Sequence, residues 1–167
     1  MHLHKYEKYW LWIGIAGLIA FLLILAFGAF YLGTHPQSHG EVIDPDNIEA
    51  NEAFLPENLG LTKVDEKRYV LNVAASAFNY DLGTDEDGQQ VTKIEIPAGS
   101  KVLVQATSKD VVHGLNIAGT NVNMMVEPGY VSSIEVELKK PGEYTLVCNE
   151  YCGTGHHLMF ATVEVVE

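Results

Sequence analysis

Positive charge is scarce in this chain: ten Lys and Arg stand against 22 Asp and Glu, giving a formal charge of -12 over 167 residues. A surface with so few bases cannot neutralise a phosphate backbone, which sets nucleic acid aside as a partner. Cysteine is scarcer still. Two cannot build a disulfide-rich scaffold, so their role is local and chemical. No internal repeat is evident, and beyond Tyr69 no segment has a helical period. What the chain has in quantity is apolar: 47% of its residues are hydrophobic and 10% aromatic. That composition excludes a disordered chain and, at this length, implies one domain with an appendage.

Charge is absent altogether between Tyr9 and Leu32, a run of 24 residues. As a helix the run would be about 36 Å long, enough to cross a hydrocarbon core of roughly 30 Å with some tilt. Residues 9–32 are therefore expected to form a transmembrane helix in contact with membrane lipid. Tyr6, Tyr9, Trp10 and Trp12 at one end and Phe30 and Tyr31 at the other are placed as interfacial anchors. A cleaved signal peptide is the competing explanation, with a weak small-residue site at Ala26 and Gly28, but its apolar region is usually only about 7–15 residues long. Lys5 and Lys8 precede the span and no Lys or Arg follows until Lys63, which puts residues 1–8 in the cytoplasm and the rest outside. The exported portion after residue 33 holds 21 acids and 8 bases, so the acidity faces outward.

Residues 33–68 carry prolines and acids without a sustained period and are expected to be a linker lying over the domain. From residue 69 to residue 167 short β-type runs such as YVLNVAA, VTKIEIP and KVLVQAT alternate with turns at Pro97-Ala98-Gly99, Pro128-Gly129 and Pro141-Gly142. Roughly seven strands without a helix predict an all-β fold, a β-sandwich or Greek-key barrel.

Chemistry concentrates in Cys148-Asn149-Glu150-Tyr151-Cys152-Gly153-Thr154-Gly155-His156-His157-Leu158-Met159. Thiolate, imidazole and thioether within one loop form a soft donor set, which selects copper over magnesium or calcium. A Cys148–Cys152 disulfide suits the exported location, but it leaves His156 and Met159 at ligand spacing unexplained. A single blue-copper site takes one Cys, and this loop has two. Two thiolates four residues apart can each bridge one pair of copper ions, which calls for a second histidine from elsewhere. His113 in SKDVVHGLNI is the candidate, since His2 and His4 precede the span and His35 and His39 lie in the linker.

The pattern C-x-E-x-C-G-x-G-H-x-x-M, the upstream D-V-x-H-G, the intervening G-T-N-V-N and K-P-G-E-Y-T-L-V-C, and the N-terminal anchor together resemble subunit II of haem-copper cytochrome oxidases. The single span is most similar to the B-type oxidases. The resemblance implies a cupredoxin-like domain holding a dinuclear CuA centre. Cys148 and Cys152 would bridge the two coppers, and His113 and His156 would each be terminal on one of them. Met159 and the Glu150 carbonyl would be the weak ligands. It implies electron transfer from a c-type cytochrome to a haem in subunit I, where oxygen is reduced and protons are translocated. The family can also hold magnesium on the Glu150 side chain, against which stands the Gln that B-type members often carry there.

By the same resemblance Glu7, in K-Y-E-K-Y-W, lies where B-type members have a glutamate at the mouth of a proton-uptake path. Phe78 and Tyr80 align loosely with the aromatic electron-entry segment, with core packing the favoured role for each. Asp110 and Asn149 are candidates for contact with the metal ligands, against ordinary turn roles. An acidic exterior would attract a basic cytochrome, although solubility alone explains most of the acids. The rival function is a membrane-anchored copper-binding or copper-delivery protein without an oxidase partner. A thioredoxin-like chaperone is disfavoured, because only 15 residues follow Cys152 and no βαβ pattern is visible.

Overall fold

The computed structural model describes residues 4–32, 38–85 and 87–167. His2 and His35 lie outside the described residues. The chain divides into two units, Met1–His35 and Pro36–Glu167, each considered by itself.

The first unit is one helix, α1, Lys5–Tyr31, 27 residues and about 40 Å long. It buries no residue and has an almost uniformly apolar circumference, as a helix solvated by lipid requires. It begins four residues before the uncharged run, because its start is capped. Glu7 accepts the His4 backbone N–H at 2.8 Å, and this carboxylate also complements the positive end of the helix. The helix is therefore a single candidate membrane span.

The second unit packs two sheets face to face. Its strands are β1 Ser38–Val42, β2 Gly60–Asp65, β3 Arg68–Ser76, β4 Asn79–Asp81, β5 Lys93–Pro97, β6 Ser100–Ser108, β7 His113–Ile117, β8 Asn123–Val126, β9 Tyr130–Leu138, β10 Gly142–Val147 and β11 Phe160–Val166. One sheet has the order β1-β9-β6-β3-β2 with β4 also on β3, and the other β5-β11-β10-β7-β8. The pairs β3–β6 and β5–β11 are parallel and the rest antiparallel. Alternation delivers one face of each sheet to a shared core. Val102, Val104 and Ala106 of β6 and Val136 and Leu138 of β9 meet Leu115 and Ile117 of β7, Leu146 of β10 and Val163 of β11. From Arg68 onward nine strands form where about seven were expected, the surplus being short ones such as β4.

The expected linker over residues 33–68 is corrected by the structure from Ser38 onward. β1 pairs with β9 and β2 with β3, so both are part of the larger sheet. Between them three 3₁₀ turns, Pro45–Ala50, Glu52–Phe54 and Pro56–Asn58, lie on the outer face of that sheet. Ile43, Ile48 and Phe54 form a second small core with Ala74 of β3 and Val131 of β9. Asp44 and Asn51, which read as loop residues, accept the N–H groups of Asp46 and Ala53 and start the first two turns. Asn72 on β3 donates to the Asn58 carbonyl at 2.9 Å and ties the strap down.

Candidate metal centre

The smaller sheet builds the site at one end. Val147, the last residue of β10, is registered with Phe160 on β11 and with Asn116 on β7. The loop from Cys148 to Met159 therefore starts and ends on neighbouring strands, and Cys148 N–H donates to the Met159 carbonyl at 3.2 Å across its neck. The same register brings His113, the first residue of β7, beside the loop. Inside it a short 3₁₀ turn, His156–Leu158, points His156 back at the cysteines.

Six donor groups converge. Cys148 Sγ lies 3.7 Å from Cys152 Sγ, 4.0 Å from His113 Nδ1 and 3.2 Å from the Glu150 carbonyl. Cys152 Sγ lies 3.6 Å from His156 Nδ1 and 3.8 Å from Met159 Sδ. The two sulfurs are far outside disulfide distance of about 2.05 Å, and both cysteines are free. Metal–sulfur bonds near 2.3 Å and metal–nitrogen bonds near 2.0 Å place tetrahedral ligand atoms about 3.5–3.8 Å apart, which the contacts of Cys152 Sγ with Cys148, His156 and Met159 match while His113 stands slightly farther from Cys148 Sγ. His113, Cys148 and Cys152 are the one such His/Cys/acid cluster among the described residues. His113 is fully buried, and Cys148, Cys152 and Met159 nearly so. His157, next to His156, is exposed.

The surroundings fix these donors. Asp110 Oδ1 bonds His113 Nε2 at 2.8 Å, which sets the tautomer and leaves Nδ1 for the sulfur side. Asp110 Oδ2 accepts the Ala77 N–H at 2.7 Å, so the β3–β4 turn is tied to the same carboxylate. Partial burial works to raise the Asp110 carboxyl, but hydrogen bonds from His113, Ala77 and Val111 prevail and hold it below its ordinary value. Burial pushes the Cys152 thiol up to about 11, with Cys148 adding to the shift. Burial also raises the Tyr80 phenol, reinforced by Cys148 and Cys152.

Of the two aromatic candidates for electron entry, Tyr80 takes the core-packing role favoured for it: it is 3% exposed and its hydroxyl points inward to the Gly114 carbonyl, so it is corrected as a surface contact. Phe78 is half-buried, and its ring lies against Gly153 and Gly155 of the ligand loop, so that a Cβ on Gly155 would strike it. Asn149 covers Gly114 and donates to Asn123 at 2.9 Å. The sequence reading missed Gly114, whose signal was only its place next to His113. Glu150 is half-buried beside Cys148, with its carbonyl inward.

The family described as "Cytochrome C oxidase subunit II, periplasmic domain" matches residues 80–166. The chain belongs to this family. Cytochrome c oxidase subunit 2 of Thermus thermophilus is 35% identical over 164 residues, covering 97% of this chain and 92% of that protein. A probable cytochrome c oxidase subunit 2 of Streptomyces coelicolor is 30% identical over 105 residues, 59% of this chain and 33% of that one. In structure the chain is similar to a subunit of a haem-copper terminal oxidase dimer solved by cryo-electron microscopy. The TM-score is 0.78 and the identity 33%, covering 97% of this chain and 100% of that one. The chain is thus subunit II, the electron-entry subunit, of a haem-copper oxidase, an oxidoreductase. The expected cupredoxin-like sandwich and N-terminal helix are what this subunit II has, in a single-pass membrane architecture. Subunit II carries copper, and the soft donor set just described fits that metal.

Proposed function

We propose that the loop holds a dinuclear CuA centre. Cys148 and Cys152 would hold both coppers, His113 and His156 would each serve one of them, and Met159 and the Glu150 carbonyl would be the weaker donors. The observation that carries this is the pairing at the sulfurs: each thiol has its own imidazole, at 4.0 Å for Cys148 and 3.6 Å for Cys152. A single blue-copper ion, which takes one thiolate and two imidazoles, would leave one of the two thiols without a task.

When bound, a copper pair sharing one electron through two thiolates supplies a one-electron couple whose bond lengths change little, so electron transfer is fast at small driving force. The chain's residues do the rest. Asp110 orients His113, the neck bond from Cys148 to Met159 fixes the loop, and burial of four ligands excludes water. Phe78, between the β3–β4 turn and the loop, is the contact through which a donor's electron reaches the site. The donor is a c-type cytochrome and the acceptor a haem in subunit I, where oxygen reduction is coupled to proton translocation. The sandwich lies outside the membrane and the N-terminus in the cytoplasm, where Glu7 is the candidate for proton entry into subunit I while also capping α1. No magnesium site is proposed on Glu150, whose carboxylate belongs to no ligand cluster among the described residues.

The test is the electron paramagnetic resonance spectrum of the copper-loaded full chain in detergent. Hyperfine splitting from two equivalent coppers is expected, and splitting from one copper would sink the proposal. Cys148→Ser and Cys152→Ser should each abolish the shared-electron signal. Co-purification of a haem-bearing membrane subunit separates an oxidase from a free-standing copper-delivery protein.

A further inference from the structure

Gly114 is held from three directions. Its N–H donates to Cys148 Sγ at 3.4 Å, and its carbonyl accepts the Tyr80 hydroxyl at 2.5 Å. Over its Cα lies Asn149, so close that a Cβ on residue 114 would collide with the Asn149 side chain and backbone nitrogen. Asn149 is anchored in turn by its 2.9 Å bond to Asn123 on β8.

The ladder explains why this residue needs outside partners. The β7–β10 pairing covers Ile117 and Asn116 and then ends, because β10 turns into the ligand loop at Cys148. In an extended strand the N–H and C=O of one residue point to the same side. On the side where β10 has left, Gly114 finds a sulfur for its donor and a phenol for its acceptor. The phenol is buried inside the main core, so it has no competing water.

We infer that Tyr80 and Asn149 are positioning residues that hold the Gly114 N–H on the Cys148 sulfur and thereby set the reduction potential of the copper site. An N–H aimed at a thiolate withdraws electron density from it and favours the reduced, more electron-rich metal, so the contact raises the potential. The Tyr80 hydroxyl also interacts with the Cys148 side chain, so the Gly114 amide resonance is what identifies the route through residue 114. Removing the hydroxyl frees the Gly114 carbonyl, lets residue 114 relax away from the sulfur, and lowers the potential.

The inference rests on copper binding at Cys148, and the experiment separates the two. The full chain in detergent, labelled with ¹⁵N-glycine, is compared with its Tyr80→Phe variant, metal-free and copper-loaded. In the metal-free variant the Gly114 amide proton should shift toward weaker hydrogen bonding. In the loaded variant the midpoint potential should fall while copper stoichiometry stays at the wild-type value. A variant of lower melting temperature whose Gly114 resonance and potential are both unchanged overturns the inference and leaves Tyr80 a packing residue. Failure of the wild type to take up copper would instead defeat the metal assignment, with the metal-free resonance still testing the clamp. Should Tyr80→Phe not fold, Asn123→Ala at the exposed end of the clamp reads the same two signals, with a smaller shift in the same direction expected and no shift in either overturning the inference.

Discussion

Asp110 and His113 form a carboxylate–imidazole pair at 2.8 Å whose other ends are both occupied, His113 Nδ1 by the Cys148 sulfur and Asp110 Oδ2 by the Ala77 amide. The pair therefore couples a donor of the proposed copper site to the β3–β4 turn. Asp110→Ala should weaken copper binding by roughly 10–100-fold, the usual effect of removing a group that orients a ligating histidine. Asp110→Asn, which keeps an acceptor but loses the charge, should fall between the alanine variant and the wild type. Competition with a chelator of known affinity measures both.

Gly155 and Phe78 should behave as one unit. A methyl group on Gly155 meets the Phe78 ring, and overpacking of this kind costs about 1–3 kcal/mol. In a Phe78→Ala background the methyl group has room, so the double variant should be more stable than the sum of the two single losses. Denaturant titration of the four proteins reads the coupling, and strict additivity would show that the ring and the loop do not touch.

Phe54 is 1% exposed although it sits in a stretch whose composition suggests a linker. Phe54→Ala should destabilise the outer unit by about 3–5 kcal/mol, as for other buried aromatic residues. A fragment beginning at Tyr69 lacks the strap and two strands of the larger sheet, and it should not fold. Circular dichroism of both proteins is a sufficient check.

The Cys152 thiol, raised from 9.0 to about 11, gives a pH signature in the metal-free chain. Alkylation of Cys152 should rise through about pH 11 in the folded chain rather than near 9. The unfolded chain gives up this proton more readily, so the stabilising contribution is complete below pH 9 and is lost as pH rises toward 11. Because copper must displace the protons, uptake should release acid and tighten with rising pH, which calorimetry in buffers of different ionisation enthalpy can read.

The donor cluster was legible in the sequence because most of it is local: Cys148, Cys152, His156 and Met159 share one loop, and His113 was the one histidine between residue 69 and that loop. The strands were legible through alternation. The strap was not. Ile43, Ile48 and Phe54 fall at no helical or strand period, and the prolines and acids between them are what 3₁₀ turns and solvated linkers have in common. Tyr80 was seen only as an aromatic residue near the site, since the direction of a hydroxyl depends on packing between two sheets. The role of Gly114 depends on where β10 leaves β7, which no local pattern records.

The hydrogen bond from Cys148 N–H to the Met159 carbonyl joins the first residue of the loop to the last. The twelve-residue loop is thereby closed by the same ladder that folds the sheet, before any metal arrives. The entropy of bringing its ends together belongs to folding rather than to metal binding. An incoming ion has little chain left to organise, and an ion departing leaves a ring that keeps its shape, so loading and unloading should be separable from unfolding.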